Sequence, residues 1–193
     1  MSQSIRPLTA RAVPIQWLDN GLAYRLVAIA PTAGDIVEAA GGWLFDRAKC
    51  GWKVEAFIVD PITSADSVSL QILGVEKAAP LSASSLENLH RAAALAICGR
   101  TLEGTTMLSK RVHALIQRCA SEVVVWGSTP ARLLQQSEEV RHVPFSAASR
   151  AFKARALMAA GNAVASSLES SETFRRIVPP TLRYRSDLVP AAE

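Results

Sequence analysis

The sequence predicts an α/β protein with a Rossmann-like three-layer sandwich, in which helices cover both faces of a mostly parallel sheet. Residues 26–30 form an almost wholly apolar run, which is typical of a strand that is covered on both faces. Residues 35–50 then show helical periodicity, and residues 54–60 form a second apolar run. A strand, a helix and a strand in this order predict a right-handed parallel crossover.

The sheet is expected to open with an antiparallel hairpin. Asp19, Asn20 and Gly21 separate two short runs at residues 14–18 and 22–26. Asn-Gly is the strongest short-range signal for a hairpin turn, because both residues tolerate a positive φ. The sequence therefore predicts an N-terminal antiparallel hairpin strand.

The rest of the chain is expected to alternate between helices and strands. Residues 122–127 are β-branched and apolar and end at Gly127, which favours a strand. Further strands are predicted at residues 69–75 and 140–143. Helices are predicted at residues 84–100, 106–119 and 146–160, with a short one after Pro130.

The chain is long enough for one domain. We expect residues 1–12 to form a flexible N-terminal arm, residues 13–165 a single α/β domain and residues 166–193 a C-terminal tail. The tail is rich in serine, charge and proline. Because Phe174 and Ile177 are apolar, two interpretations stay open: an inert end, or an arm that docks or mediates an interaction.

Composition restricts the class of protein. The chain lacks the apolar core of a leader peptide, and no stretch approaches the roughly 18 apolar residues that span a bilayer, so we expect a cytoplasmic protein without a membrane partner. Cys50, Cys98 and Cys119 are isolated and odd in number, which predicts reduced core thiols. The net charge of +4 is uneven: residues 105–193 carry twelve basic and seven acidic residues. This excess indicates an anionic partner.

The turn at residues 31–35 has the position of a ligand site, because open α/β sheets bind ligands where a strand ends and a helix begins. It lacks the glycine-rich patterns that bind phosphate, and Asp35 is also explained as a helix cap. The candidate ligand-binding residues are Thr32, Gly34, Asp35, Asp60 and Trp126.

The same segment resembles a known family. Residues 30–42, together with Leu44, Arg47, Gly51, Val54 and Asp60, are similar to the opening strand-helix-strand of the PIG-L/LmbE family of zinc-dependent N-acetylglucosaminyl deacetylases. That family writes the turn as A-H-P-D-D-E, in which the histidine and the second aspartate hold zinc and the first aspartate is the general base.

In the matching frame this chain departs from the family. Thr32 replaces the ligand histidine, Ala33 the proline and Gly34 the base, and only Asp35 is retained. The later histidine ligand has no counterpart either, because His90, His113 and His142 stand alone. A zinc site of this kind needs three protein ligands and a base for the activated water. The resemblance therefore implies the fold with no metal and no cofactor, as in a pseudoenzyme.

A basic stretch provides a second candidate surface. Residues 141–155 include Arg141, Arg150, Lys153 and Arg155, and no acid follows until Glu169. Arg150 and Lys153 share a helix face by their spacing of three. These four residues are candidates for contact with an anion or a partner; the alternative is an ordinary solvated helix side.

Two functions are compatible with the sequence. The first is a non-catalytic binding or regulatory protein that acts through a macromolecular partner, either another protein or a second copy of this chain. The alternative is a small-ligand-binding protein or enzyme that uses the turn at residues 31–35, as a degenerate, metal-free relative of the deacetylases. No set of catalytic residues is evident, so the sequence favours a protein that is not an enzyme.

Overall fold

The computed structural model describes residues 24–118, 121–142, 146–161, 171–177 and 189–190. The strands are β1 (Arg25–Ala30), β2 (Lys53–Ile58), β3 (Val75–Pro80), β4 (Ala94–Cys98), β5 (Glu122–Trp126), β6 (Ser137–His142), β7 (Glu172–Ile177) and β8 (Val189–Pro190). The helices are α1 (Ala33–Lys49), α2 (Ser64–Ile72), α3 (Ala83–Glu87), α4 (Gly99–Gly104), α5 (Thr106–Gln117), α6 (Ala131–Leu134) and α7 (Ala147–Ala159). A 3₁₀ turn at Asn88–Arg91 follows α3.

The described strands form one sheet in the order β3-β2-β1-β4-β5-β7-β6-β8. The first five in this order are parallel. β1 lies between β2 and β4, with Leu26 opposite Val54 on one side and Ala94 on the other. The predicted strand-helix-strand unit and the mostly parallel α/β fold are therefore confirmed.

Helices cover both faces of the sheet, as the three-layer prediction requires. Alternate residues of β1 point to opposite faces: Leu26 and Ala28 join a core with α1, α2 and α7. Val27 and Ile29 join a second core with α3, α4, α5 and α6. Because β1 is buried on both faces, its sequence is a continuous apolar run and does not alternate.

The segment from residue 166 onward contains a strand that the sequence analysis did not predict. Glu172–Ile177 pairs antiparallel with β5 and also with β6, so that β7 lies inside the sheet. Phe174 and Ile177 are buried in the two cores. Residues 172–177 are therefore part of the sheet. The sequence pattern did not indicate this strand because it contains charged residues, Arg175 and Arg176. In the structure these two lie opposite Glu139 and Glu138 on β6.

Two secondary-structure predictions were wrong. Residues 69–75 belong mainly to α2, whose start is fixed by a reciprocal capping box between Thr63 and Asp66. Residues 84–100 contain the central strand β4 instead of one long helix. Its sequence is rich in alanine and is completely buried. In a short apolar run of this kind, periodicity does not distinguish a buried strand from a buried helix.

The predicted hairpin spans residues 14–26, and residues 14–23 of it lie outside the described residues. From Arg25 onward both edges of β1 are occupied by parallel strands. The thiol prediction holds for Cys98, which is buried, but Cys50 is exposed at the end of α1. Cys119 lies outside the described residues. Within the part of the chain that is described, no helix has the length and apolarity of a membrane span.

Candidate ligand-binding site

The candidate site lies at the carboxyl ends of β1 and β4. These neighbouring parallel strands lie where the strand order changes direction, because β2 and β3 extend the sheet on one side and β5 on the other. Helix α1 follows β1 on one face, and α4 follows β4 on the other. A crevice outside the strand ends at such a switch point is the usual ligand position in open α/β sheets.

The turn after β1 is organised by a capping box. The backbone N–H of Asp35 donates to Thr32 Oγ1 at 3.0 Å, and the backbone N–H of Thr32 donates to Asp35 Oδ2 at 3.2 Å. The Thr32 hydroxyl also donates to Asp35 Oδ2 at 2.7 Å. The structural role of Asp35 as part of the helix cap is therefore confirmed. Gly34 lies half-buried in the first turn of α1.

Arg100 brings a positive charge to this turn. Its Nη2 lies 2.6 Å from Asp35 Oδ1, the carboxylate oxygen that the capping box leaves available. Contact with the Cys98 thiol, followed by the charge of Asp35, raises the pKa of Arg100. The Arg100 side chain is 63% exposed. It therefore links β1 to β4 and still presents donors to solvent.

The loops after β4 and β5 touch beside Arg100. A Cβ on Gly99 would overlap the carbonyl oxygen of Ser128, so only glycine permits this approach. Thr101 lies on α4 and Thr129 in the loop after β5. The hydroxyl oxygens of both, Thr101 Oγ1 and Thr129 Oγ1, are buried and lack a hydrogen-bond partner among the described residues. Because buried polar atoms are nearly always paired, each of these hydroxyls needs an explanation such as a bound ligand or water.

The remaining candidate ligand residues do not converge on this turn. The backbone N–H of Asp60 donates to the Pro31 carbonyl at 3.0 Å, but the Asp60 side chain is exposed. Trp126 is 6% exposed and belongs to the core, because its ring packs on the face that carries α1. A role of Trp126 in lining a ligand site stays a prediction, and the Asp60 carboxylate makes no contact within the described residues.

The basic candidates between residues 141 and 155 do not form one surface. Lys153 is buried, with its Nζ 2.7 Å from Glu172 Oε1, so its assignment to an exposed anion-binding face was wrong. Its side chain points inward because α7 turns that face toward α1 and β7. Arg141 lies on β6, 3.8 Å from Glu139, while Arg150 and Arg155 are exposed on α7.

Comparison with known proteins places the fold. No family model matches the sequence, and no curated protein matches it. Among solved structures, a mutant of the deacetylase of the teicoplanin biosynthetic pathway is 13% identical, with 81% of this chain and 99% of that chain covered and a TM-score of 0.55. N,N'-diacetylchitobiose deacetylase from Pyrococcus horikoshii is 13% identical, with 88% and 91% covered and a TM-score of 0.55. GalB, the 4-carboxy-2-hydroxymuconate hydratase from Pseudomonas putida KT2440, is 9% identical, with 84% and 99% covered and a TM-score of 0.56.

This chain has the fold of those enzymes. The resemblance to the PIG-L/LmbE deacetylases is thereby confirmed at the level of the fold, and it covers most of the chain instead of the first strand-helix-strand alone.

The donor set does not fit zinc. Thr32 and Gly34 supply neither the ligand nor the base that the deacetylase motif requires, and both carboxylate oxygens of Asp35 are bonded to Thr32 and Arg100. No group of three potential metal-ligating side chains occurs in the described ranges. His90 and His113 are exposed, and His142 lies 3.3 Å from Asp46. The described residues therefore do not provide the zinc site of the deacetylase motif.

Sequence analysis missed Cys98, Arg100, Thr101 and Thr129 as site residues. Cys98 is the last residue of β4, and Arg100 and Thr101 follow it in α4, where the sequence pattern predicted one long helix. The available signal was the apolar run at residues 92–98 followed by Gly99, which is also the pattern of a buried strand that ends in a turn.

Proposed function

We propose that this protein binds a small anionic ligand in the crevice outside β1, β4 and β5, with Arg100 as the positive anchor and without a metal. The two unpaired buried hydroxyls of Thr101 and Thr129 carry the proposal. They lie in the start of α4 and in the loop after β5, two segments that meet at Gly99 and Ser128, at the strand ends where this fold class binds ligands. A ligand that accepts or donates hydrogen bonds there would pair both groups.

Arg100 determines the charge of the ligand. Asp35 holds one edge of the guanidinium, which fixes its orientation and leaves other N–H groups exposed. A guanidinium binds carboxylate or phosphate through two parallel hydrogen bonds. Asp35 is the carboxylate that would repel a ligand anion here, because Thr32 and the first turn of α1 add no second negative charge. Arg100 already balances the charge of Asp35.

The similar structures support this choice over a protein that acts only through a macromolecular partner. They are enzymes, and the 4-carboxy-2-hydroxymuconate of the hydratase carries carboxylate groups. We infer that this chain keeps the ligand position of the fold and replaces zinc with the Arg100 guanidinium, as a metal-free relative. The Arg100 guanidinium then supplies the positive charge beside Asp35 that zinc would supply, but it does not activate water as zinc does.

Isothermal titration calorimetry with cis,cis-muconate, succinate and inorganic phosphate tests the proposal, with N,N'-diacetylchitobiose as the neutral comparison. We expect at least one of the three anions to bind, and Arg100→Gln to weaken that binding by about tenfold or more, because a charged hydrogen bond is lost. Arg155→Gln removes an equal charge from α7 and is expected to leave affinity unchanged. Binding of the sugar alone, or of none of the four, contradicts an anion site.

Thr101→Val and Thr129→Val distinguish a ligand role from a structural one. A buried hydroxyl without a partner contributes nothing favourable to the free protein, so each valine is expected to leave the free energy of unfolding unchanged or to raise it by up to about 1 kcal/mol. The same substitutions are expected to weaken ligand binding. If they destabilise the fold and leave affinity intact, the hydroxyls are structural.

A further inference from the structure

Four cations on α5, α6 and the residue after α5 form a basic face. Lys110, Arg111, Arg118 and Arg132 are all exposed, and Arg132 contacts Ser109 Oγ, which places α6 directly beside α5. Between residues 104 and 137 the sequence contains one acid, Glu122. Glu122 is buried and paired with Arg47 at 3.0 Å, so it does not neutralise this surface.

The helix geometry puts the α5 cations on one side. Leu108, Val112 and Leu115 are buried against the sheet. At 100° per residue, Lys110, Arg111 and Arg118 fall within an arc of about 100° beside the buried stripe, on the exposed part of the helix surface. These three cations have no carboxylate partner in the described part of the chain. From Lys110 to Arg118 the helix rises about 12 Å.

Elsewhere, carboxylates offset the positive charges. Helices α1, α2 and α7 carry three exposed cations and four acids: Lys49, Arg150 and Arg155 against Asp35, Glu38, Asp46 and Asp66. The layer that contains α5 carries six cations and two acids: Arg91, Arg100 and the basic face against Glu87 and Glu103. Among the described helices, the uncompensated charge therefore lies on the basic face, and not on the α7 surface that the sequence indicated.

We propose that the basic face binds the phosphodiester backbone of a double-stranded nucleic acid, without reading its sequence. Three of its four cations are arginines, whose guanidinium forks match phosphate oxygens. Its exposed apolar side chains are Met107 and Leu134. Among the described residues no exposed aromatic ring lies there to stack on bases, which disfavours a single strand. A second copy of this chain does not fit, because the two faces would repel each other.

Fluorescence anisotropy of labelled duplex DNA and duplex RNA, measured with the full-length protein, tests this inference. We expect a dissociation constant between about 1 and 100 µM. The logarithm of the association constant is expected to fall with the logarithm of the salt concentration with a slope of about −3.6, if each cation neutralises one phosphate. Lys110→Gln and Arg111→Gln are each expected to make the slope less steep by about 0.9. The two duplex types distinguish DNA from RNA as the natural source of the backbone.

Arg150→Gln and Arg155→Gln are the matched controls, because each removes one exposed charge from α7 and is expected to leave the slope unchanged. All four side chains are exposed, so folding is not at risk; thermal unfolding verifies this. An equal effect of the controls overturns the proposal, as does a duplex affinity without salt dependence. Tighter binding of single strands than of duplex also overturns it. Displacement of the duplex by poly-glutamate at equal charge concentration overturns it as well, because it would indicate that the partner is an acidic protein. The outcome does not depend on the crevice ligand.

Discussion

Lys153 Nζ lies 2.7 Å from Glu172 Oε1, and both side chains are almost completely buried. The Glu172 carboxylate also accepts the backbone N–H groups of Gly42 and Trp43, each at 2.8 Å. One carboxylate thus connects β7 to the middle of α1 and to α7. Burial raises the pKa of Glu172, and the charge of Lys153 opposes this increase without cancelling it.

Removing the cation is expected to destabilise the fold. Lys153→Met leaves Glu172 buried with its two amide donors and no counter-charge. We expect the free energy of unfolding to fall by about 3 kcal/mol at neutral pH, measured by urea denaturation. The double variant Lys153→Met with Glu172→Leu buries neither charge and is expected to regain most of that loss. If the losses of Lys153→Met and Glu172→Leu, measured separately, add up to the loss of the double variant, the two charges are not coupled.

The raised pKa of Glu172 gives stability a defined pH dependence. The folded protein holds this proton more tightly than the unfolded chain does. The resulting stabilisation is complete below the ordinary carboxyl pKa of 4.5 and is lost as pH rises toward the raised value. Glu172→Gln removes the titrating group. The unfolding free energy of the wild type, relative to this variant, is therefore expected to fall as pH increases from 4.5. A rise over that interval would contradict the direction of the shift.

Glu55 is expected to show the opposite pH dependence. Arg25 donates from Nε to Oε1 at 3.1 Å and from Nη2 to Oε2 at 2.7 Å, and these hydrogen bonds lower the pKa of Glu55. The stabilisation is present above 4.5 and is lost as pH falls through the lowered value. Because the pair is partly exposed, Glu55→Gln is expected to cost only about 0.5–1 kcal/mol at neutral pH and nothing in strong acid. Urea denaturation at both pH values measures the difference.

Gly99 is expected to tolerate no side chain. Its Cβ would overlap the Ser128 carbonyl oxygen, which belongs to the backbone and has little freedom to move. We expect Gly99→Ala to lower the free energy of unfolding by about 2 kcal/mol. Gly104 lies at the end of the same helix with no atom within 4 Å of such a Cβ, so Gly104→Ala is expected to be neutral or stabilising by up to about 1 kcal/mol. Equal stabilities of the two variants would show that the loops do not touch.

The candidate site was only partly predictable. The turn after β1 was located because Pro31 ends an apolar strand and Asp35 begins a helix, and both are local signals. Arg100 lies 65 residues from Asp35 along the chain. It joins the site only because β4 inserts beside β1, a placement that residues 94–98 do not encode in their periodicity.

The same separation explains the error at Lys153. Spacing on α7 correctly put Arg150 and Lys153 close together on the helix, but the direction of that face depends on which element packs against it. β7 supplies Glu172 to receive Lys153, while Arg150 remains in solvent. A helical pattern contains no information about a strand that pairs elsewhere in the sheet.

The sequence by itself determined the α/β class, the unit from β1 to β2 and the absence of the zinc-binding motif, because each depends on short-range patterns: strand burial, helix caps and residue identity. The tertiary structure alone decided the position of β4 beside β1, the insertion of β7 between β5 and β6, and the pairing of Arg100 with Asp35. These depend on hydrogen bonds and charge pairs between distant segments, which form only when burial of both sheet faces selects one strand order.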